Sequence, residues 1–337
     1  MRTRLLPLAL LIGLISALVG AYAAPRHAVA ATPSVPVVTD VGGLNDNGFN
    51  HLGYVGTTTG AAKAHWKWHV IETTSPSDYT KNLTTAAQQS QLVIAVGFSF
   101  GDALLAVSKK FPGDKFVIID YDYNYLKLAQ RPKNVLGNDF TPNESSYLAG
   151  IVAAGVSKSH VIGFVGGLNV PLIQAFLAGF QAGAKSYDPS VRLLSADTGS
   201  FTDQSKGKVS GLQEISAGAD VIYAAAGASG LGSLAAADQR HVYGVGVDTD
   251  QHYLHPNSVI TSVLKHVEVA VAQAIESTAA GKFKAGTRLW NLKNNGVGIA
   301  PYYNLGSKVP GKVRAAVAKA RQGITSGDIK VPVLPTK

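Results

Sequence analysis

Leu92-Val-Ile-Ala-Val96 runs into Gly97-Phe98-Ser99-Phe100-Gly101, a helix-length stretch carries the chain to Phe111, and Phe116-Val-Ile-Ile119 then ends in Asp120. Two short, continuously apolar runs joined by a helical crossover read as parallel strands buried on both faces. The same alternation continues in both directions. Strands are expected at 35–39, 69–72, 92–96, 116–120, 161–165, 191–194, 221–224 and 242–247. Helices are expected between them at 57–67, 79–90, 101–111, 145–157, 171–187, 206–218 and 230–240. Four units precede a pause near 134–143 and four follow it, so the chain reads as two similar α/β lobes in tandem. Beyond Val259 the pattern loosens into a strand at 260–264, a helix at 267–280 and a turn-rich bridge at 290–298. An amphipathic stretch at 309–326 closes it, before Pro332 and Pro335 forbid another regular helix.

The length of 337 residues suits two domains. The absence of cysteine excludes a disulfide scaffold, thiolate metal sites, a cysteine nucleophile and acylation at a lipobox. Met1-Arg-Thr-Arg4, the apolar run 5–20, and Ala21-Tyr22-Ala23 or Ala28-Val29-Ala30 have the order of a secretory signal peptide, expected over 1–30. An uncleaved membrane anchor is the alternative, and either places the bulk of the chain outside the cytoplasm, periplasmic or secreted. The formal charge is +9, and removal of Arg2, Arg4 and Arg26 with the leader lowers it to +6. No segment interleaves clustered Lys and Arg with aromatics, so nucleic acid is not an expected partner.

Three strands end in acids, at Asp40, Asp120 and Asp248. In open parallel sheets ligands bind beyond the carboxyl ends of the strands. Carboxylates gathered there accept hydrogen bonds from sugar hydroxyls or base N–H groups. The turns Gly42-Gly43, Gly166-Gly167 and Gly227-Ala-Ser-Gly230-Leu-Gly232 let backbone approach a ligand. None forms a P-loop or a dinucleotide fingerprint, so no cofactor is implied. Gly97-Phe98-Ser99-Phe100-Gly101 matches the G-x-S-x-G elbow between strand and helix. It makes a secreted α/β-hydrolase with Ser99 as nucleophile, and Asp248 with His252, His255 or His266 as partners, the alternative reading. His65-Trp-Lys-Trp-His69 straddles a helix end and a strand start, so its rings should diverge, and no metal site is expected.

Asp40-Val-Gly-Gly-Leu-Asn-Asp46-Asn-Gly-Phe49-Asn50 resembles the basic membrane protein (BMP) family, the PnrA-like purine nucleoside-binding receptors of ABC transporters. The resemblance continues in order through Val93-Ile-Ala-Val-Gly-Phe98, Phe116-Val-Ile-Ile-Asp120, Ser146-Tyr-Leu-Ala-Gly150 and Ile162-Gly-Phe-Val-Gly-Gly167. It then takes in Phe176-Leu-Ala-Gly-Phe-Gln-Ala-Gly183, Gly199-Ser-Phe201-Thr-Asp203, Gly246-Val-Asp248-Thr-Asp-Gln251 and Thr261-Ser-Val-Leu-Lys265.

The resemblance implies the type I periplasmic-binding-protein fold, two Rossmann-like parallel-sheet lobes joined by a three-crossing hinge. Its crossings should fall near 136–140, 259–264 and 289–297, with residues 31–138 and 261–292 in the first lobe and 139–260 and 293–337 in the second. It further implies a small-molecule ligand, a purine nucleoside, held between the lobes and delivered to ABC permease subunits. Phe49 and Phe201 would face the two sides of the base. Asn50, Asp46 and Asp120 would bond its edge. Asp248 and Lys265, with backbone at Gly227, would hold the ribose hydroxyls. The chain departs from the family's usual pattern at Asn47, where Lys is common, and at Gly48, where Ser is common. It also lacks the cysteine that makes many members lipoproteins.

Overall fold

Strands that are apolar without interruption can be covered on both faces, and the central strands here are. The computed structural model describes residues 32–336, so the expected leader at 1–30 lies outside the described residues. In chain order the first half forms β1 (Ser34–Thr39), α1 (Phe49–Ala64), β2 (Lys67–Ile71), α2 (Tyr79–Gln89), β3 (Leu92–Val96), α3 (Gly101–Lys110), β4 (Lys115–Ile119), β5 (Val135–Phe140) and α4 (Pro142–Val156). The second half repeats that order as β6 (Val161–Gly166), α5 (Pro171–Tyr187), β7 (Arg192–Asp197), α6 (Gln204–Ser216), β8 (Val221–Ala225), α7 (Ala228–Gln239), β9 (Tyr243–Asp248), β10 (Val259–Lys265) and α8 (Val267–Ala279). The chain closes with β11 (Gly286–Trp290), β12 (Val297–Ile299) and α9 (Gly311–Ser326).

Two six-stranded sheets result, ordered β11-β5-β4-β3-β1-β2 and β12-β10-β9-β8-β6-β7. Position for position they are the same arrangement. The first is parallel throughout, and the second is parallel except where β12 runs against β10. β3 and β8 are buried along their whole length, while the outer strands β2 and β7 keep partly exposed residues.

The lobes exchange their last helices. α4 follows β5 but packs on α5, and α8 follows β10 but packs on α1. A Cβ at Gly56 would lie 2.5 Å from the Glu268 carbonyl oxygen, and one at Gly60 would lie 2.8 Å from the Ala272 Cα. Only glycine lets α1 and α8 approach this closely.

Three expectations change. The region 134–143 is no pause: β5 lies between β4 and β11 in the first sheet, and Leu136-Gly-Asn-Asp139 is merely too polar to resemble its neighbours. The expected lobe boundaries at 138/139 and 260/261 cut through β5 and β10. β5 pairs with β4 as far as Asn138 and with β11 as far as Phe140, and β10 pairs with β9, so the crossings fall after Phe140 and after Lys265. The third lies between β11 and β12. Helix α1 also begins at Phe49 rather than 57, because its first two turns are glycine-rich and polar.

Candidate ligand-binding cleft

The carboxyl ends of β1, β3, β4, β8 and β9 face a cleft with an empty volume of about 560 Å³, mouth included, within the range that holds small organic ligands. All nine expected residues line it: Asp40, Asp46, Phe49, Asn50, Asp120, Phe201, Gly227, Asp248 and Lys265. They come from loops far apart in sequence, which the two parallel sheets bring to one end.

At its centre is Lys265, the last residue of β10 and only 1% exposed. Its ammonium donates to Asp120 Oδ2 and lies 3.8 Å from Asp248 Oδ1. The rings of Phe49, Phe140 and Phe176 surround it at 4.8, 5.3 and 5.7 Å from their centroids. Carboxylates and aromatic faces together offset the loss of water around the cation. Asp120 and Asp248 both end their strands with left-handed backbone, φ +62° and +65°, which turns each chain sharply out of its sheet. Asp120 Oδ1 and Asp248 Oδ1 are buried and have no hydrogen-bond partner. Burial pushes Asp248 up to about 7 against the pull of Lys265, and pushes Asp40 up to about 6.

The first-lobe wall is different. Asp46 accepts the N–H groups of Gly48, Asn50 and His51 at 3.0, 2.7 and 3.1 Å, and the Asn50 amide at 3.1 Å. That engages both its oxygens on the first turn of α1. Asn50 gives its two N–H donors to Asp40 and Asp46 and accepts the Asp40 N–H at 3.1 Å. Asp46 and Asn50 thus cap α1 and fix Asp40 while lining the cleft. Gly227 opens α7 at φ +55°, a turn only glycine takes easily, and brings backbone to the cleft.

Sequence reading missed Phe98, Leu172, Ile173 and Phe176 on the cleft wall. Phe176 lies on α5 at core spacing, so nothing local separates it from packing. Phe98 was recoverable from its place just after β3; its ring meets Phe201 edge-on, 6.4 Å between centroids and 76° between planes. Ser99 beside it is exposed. The histidines suggested as its partners are engaged elsewhere: His252 with the Val259 carbonyl, His255 with Asp238 and His266 with Glu268. His69 bonds Gln89 and Ser34 on β2, while His65 caps the end of α1, so that pair diverges.

A family model described as ABC transporter substrate-binding protein PnrA-like, Bmp, matches residues 34–333. The chain belongs to the Bmp family. It is 35% identical over 319 residues to the ABC transporter nucleoside-binding protein BmpA of Lactococcus lactis subsp. cremoris, covering 88% of each chain. It is 32% identical over 305 residues to basic membrane protein D of Borreliella burgdorferi, covering 89% of this chain and 87% of that one. The crystal structure of an ABC transporter solute-binding protein from Aeropyrum pernix superposes with a TM-score of 0.82 at 25% identity, over 89% of this chain and 94% of that one. The fold is thus that of the type I periplasmic binding proteins, and family members bind substrates rather than transform them. The hydrolase reading through Ser99 falls. Among the described residues no helix is long and apolar enough to cross a membrane.

Proposed function

We propose that the cleft takes a purine nucleoside and that the closed lobes present it to the permease of an ABC importer, the chain being exported by its N-terminal leader to the periplasm or beyond. The observation that carries this reading is a pair of buried carboxylate oxygens, Asp120 Oδ1 and Asp248 Oδ1, without donors in an aromatic-walled cleft. Buried acceptors of this kind call for O–H or N–H groups from a ligand. Asp248 takes ribose hydroxyls, Lys265 donates to a hydroxyl oxygen, and Gly227 offers its backbone. Asp40 and Asp120 face the edge of the base, and Phe49 and Phe201 its two sides. The nucleoside-binding relative from Lactococcus supports the same ligand class.

Calorimetry with adenosine, guanosine and inosine tests the assignment. Asp248→Ala should weaken binding at least about tenfold, the loss expected when a charged hydrogen-bonding group is removed from a buried site. Unchanged affinity in that variant removes Asp248 from the ribose, and ribose binding as tightly as a nucleoside removes the base from the rings.

A further inference from the structure

Where the β1–α1 loop of the first lobe meets the loop after β9 of the second, three residues join the lobes directly. The Asn47 carbonyl oxygen accepts from Gln251 Nε2 at 3.1 Å, and Asn47 Oδ1 accepts from the Tyr253 hydroxyl at 3.0 Å. Both ends are held in place beforehand. Asn47, at φ +48°, lies between Asp46 and Gly48, in the loop tied down by the Asp46 carboxylate. Gln251 is 2% exposed; its Oε1 accepts the Val247 N–H at 2.9 Å and its own N–H reaches Ser262 Oγ at 3.0 Å. That leaves the Gln251 amide group able to point only one way, at Asn47. The bridge also joins the two loops that matter most to the cleft. Asn47 is two residues before Phe49, and Gln251 is three after Asp248.

We infer that Asn47, Gln251 and Tyr253 form a latch between the loops that carry Phe49 and Asp248, which holds the lobes shut and sets how fast ligand leaves. The contacts are made by the chain itself, so they favour the closed form independently of what a ligand adds. A ligand then needs less differential affinity to complete closure. Its exit requires both hydrogen bonds to break together. The Tyr253 bond is exposed to water and is the weaker of the two; the Gln251 bond is the anchor.

The absence of cysteine makes the test direct. Lys81→Cys on α2 and Lys208→Cys on α6 place one dye on each lobe, and energy transfer is read without ligand. Three latch variants are compared: Tyr253→Phe, which removes one exposed oxygen; Asn47→Gly, which keeps the left-handed turn available; and Gln251→Glu. The last keeps the acceptor for Val247 and sets an oxygen against the Asn47 carbonyl. The expected result is a shift of the ligand-free population toward the open distance, smallest for Tyr253→Phe and largest for Gln251→Glu, at unchanged melting temperature for Tyr253→Phe. Adenosine dissociation should quicken by roughly fivefold in Gln251→Glu. A ligand-free distance distribution identical to that of the parent in all three variants overturns the latch. Only the dissociation arm rests on the nucleoside reading: failure of the parent protein to bind adenosine or guanosine overturns that reading and leaves the ligand-free measurement to decide the latch.

Discussion

Asp120 and Asp248 occupy the same place in the two lobes, at the end of the fourth strand from the β2 or β7 edge, with the same left-handed backbone. Their chemistry differs because of the next strand over. The first lobe ends β5 with Phe140, whereas the second ends β10 with Lys265. One ammonium therefore serves two acids, bonded to Asp120 across the lobes and 3.8 Å from Asp248 within its own. A duplicated frame has been made asymmetric by one residue. Asp120 Oδ2 takes the hydrogen bond of the ammonium, while Asp248 has only the longer contact and is pushed up to about 7 by burial. A third buried carboxyl, Glu214 on α6, shows what happens with no cation at all. Neither of its oxygens has a partner, and burial pushes it up to about 8.

The comparison is broken most sharply at Lys265. Lys265→Met should lower the unfolding free energy by about 3–5 kcal/mol, as when one member of a buried ion pair is removed. Denaturant titration at pH 8 reads this, and the loss should shrink at pH 5, where protonated Asp248 no longer needs a counter-charge. A variant as stable as the parent at pH 8 denies that the two acids depend on the ammonium. Next in size is Phe201→Ala, expected to weaken purine nucleosides by about 1–3 kcal/mol through lost stacking while ribose affinity stays level. Equal losses for both ligands would place Phe201 outside the base site. Affinity should also fall severalfold as the pH drops through about 7, since a protonated Asp248 accepts ribose hydroxyls less well; a flat profile from pH 8 to 5.5 contradicts this.

Glu214 gives the gentlest test. Its pKa is raised on folding, from 4.5 to about 8, so the native state holds the proton more tightly than the unfolded chain. Its contribution is whole below about pH 4.5 and is lost as pH climbs through about 8, at no more than about 1.4 kcal/mol per pH unit. Glu214→Gln should flatten that part of the stability profile, and an unaltered slope shows that other groups produce it.

Much of this architecture was written locally. The β3-α3-β4 unit was legible because central parallel strands are buried on both faces and so are apolar without a break. β5 escaped notice because Gly137, Asn138 and Asp139 serve the crossing region, where Asn138 accepts from the Trp290 indole at 2.9 Å. The start of α1 escaped because Gly53, Gly56 and Gly60 look like loop residues until α8 arrives against them. In the cleft, the motif around Asp46 marked a segment that lines it, but not the helix-capping bonds that Asp46 and Asn50 make. Whether a carboxylate faces a ligand or caps a helix depends on which N–H groups surround it.

Residue order alone thus determined the alternation of strands and crossovers, the three acids at strand ends and the family of the chain, because these depend on burial pattern and on motifs read in line. The tertiary structure decided that Asp120 Oδ1 and Asp248 Oδ1 are left without donors, which lobe owns β10, and that Asn47 reaches Gln251 and Tyr253, more than two hundred positions away. Those outcomes depend on side chains that share space without sharing sequence, and no local preference encodes a distance.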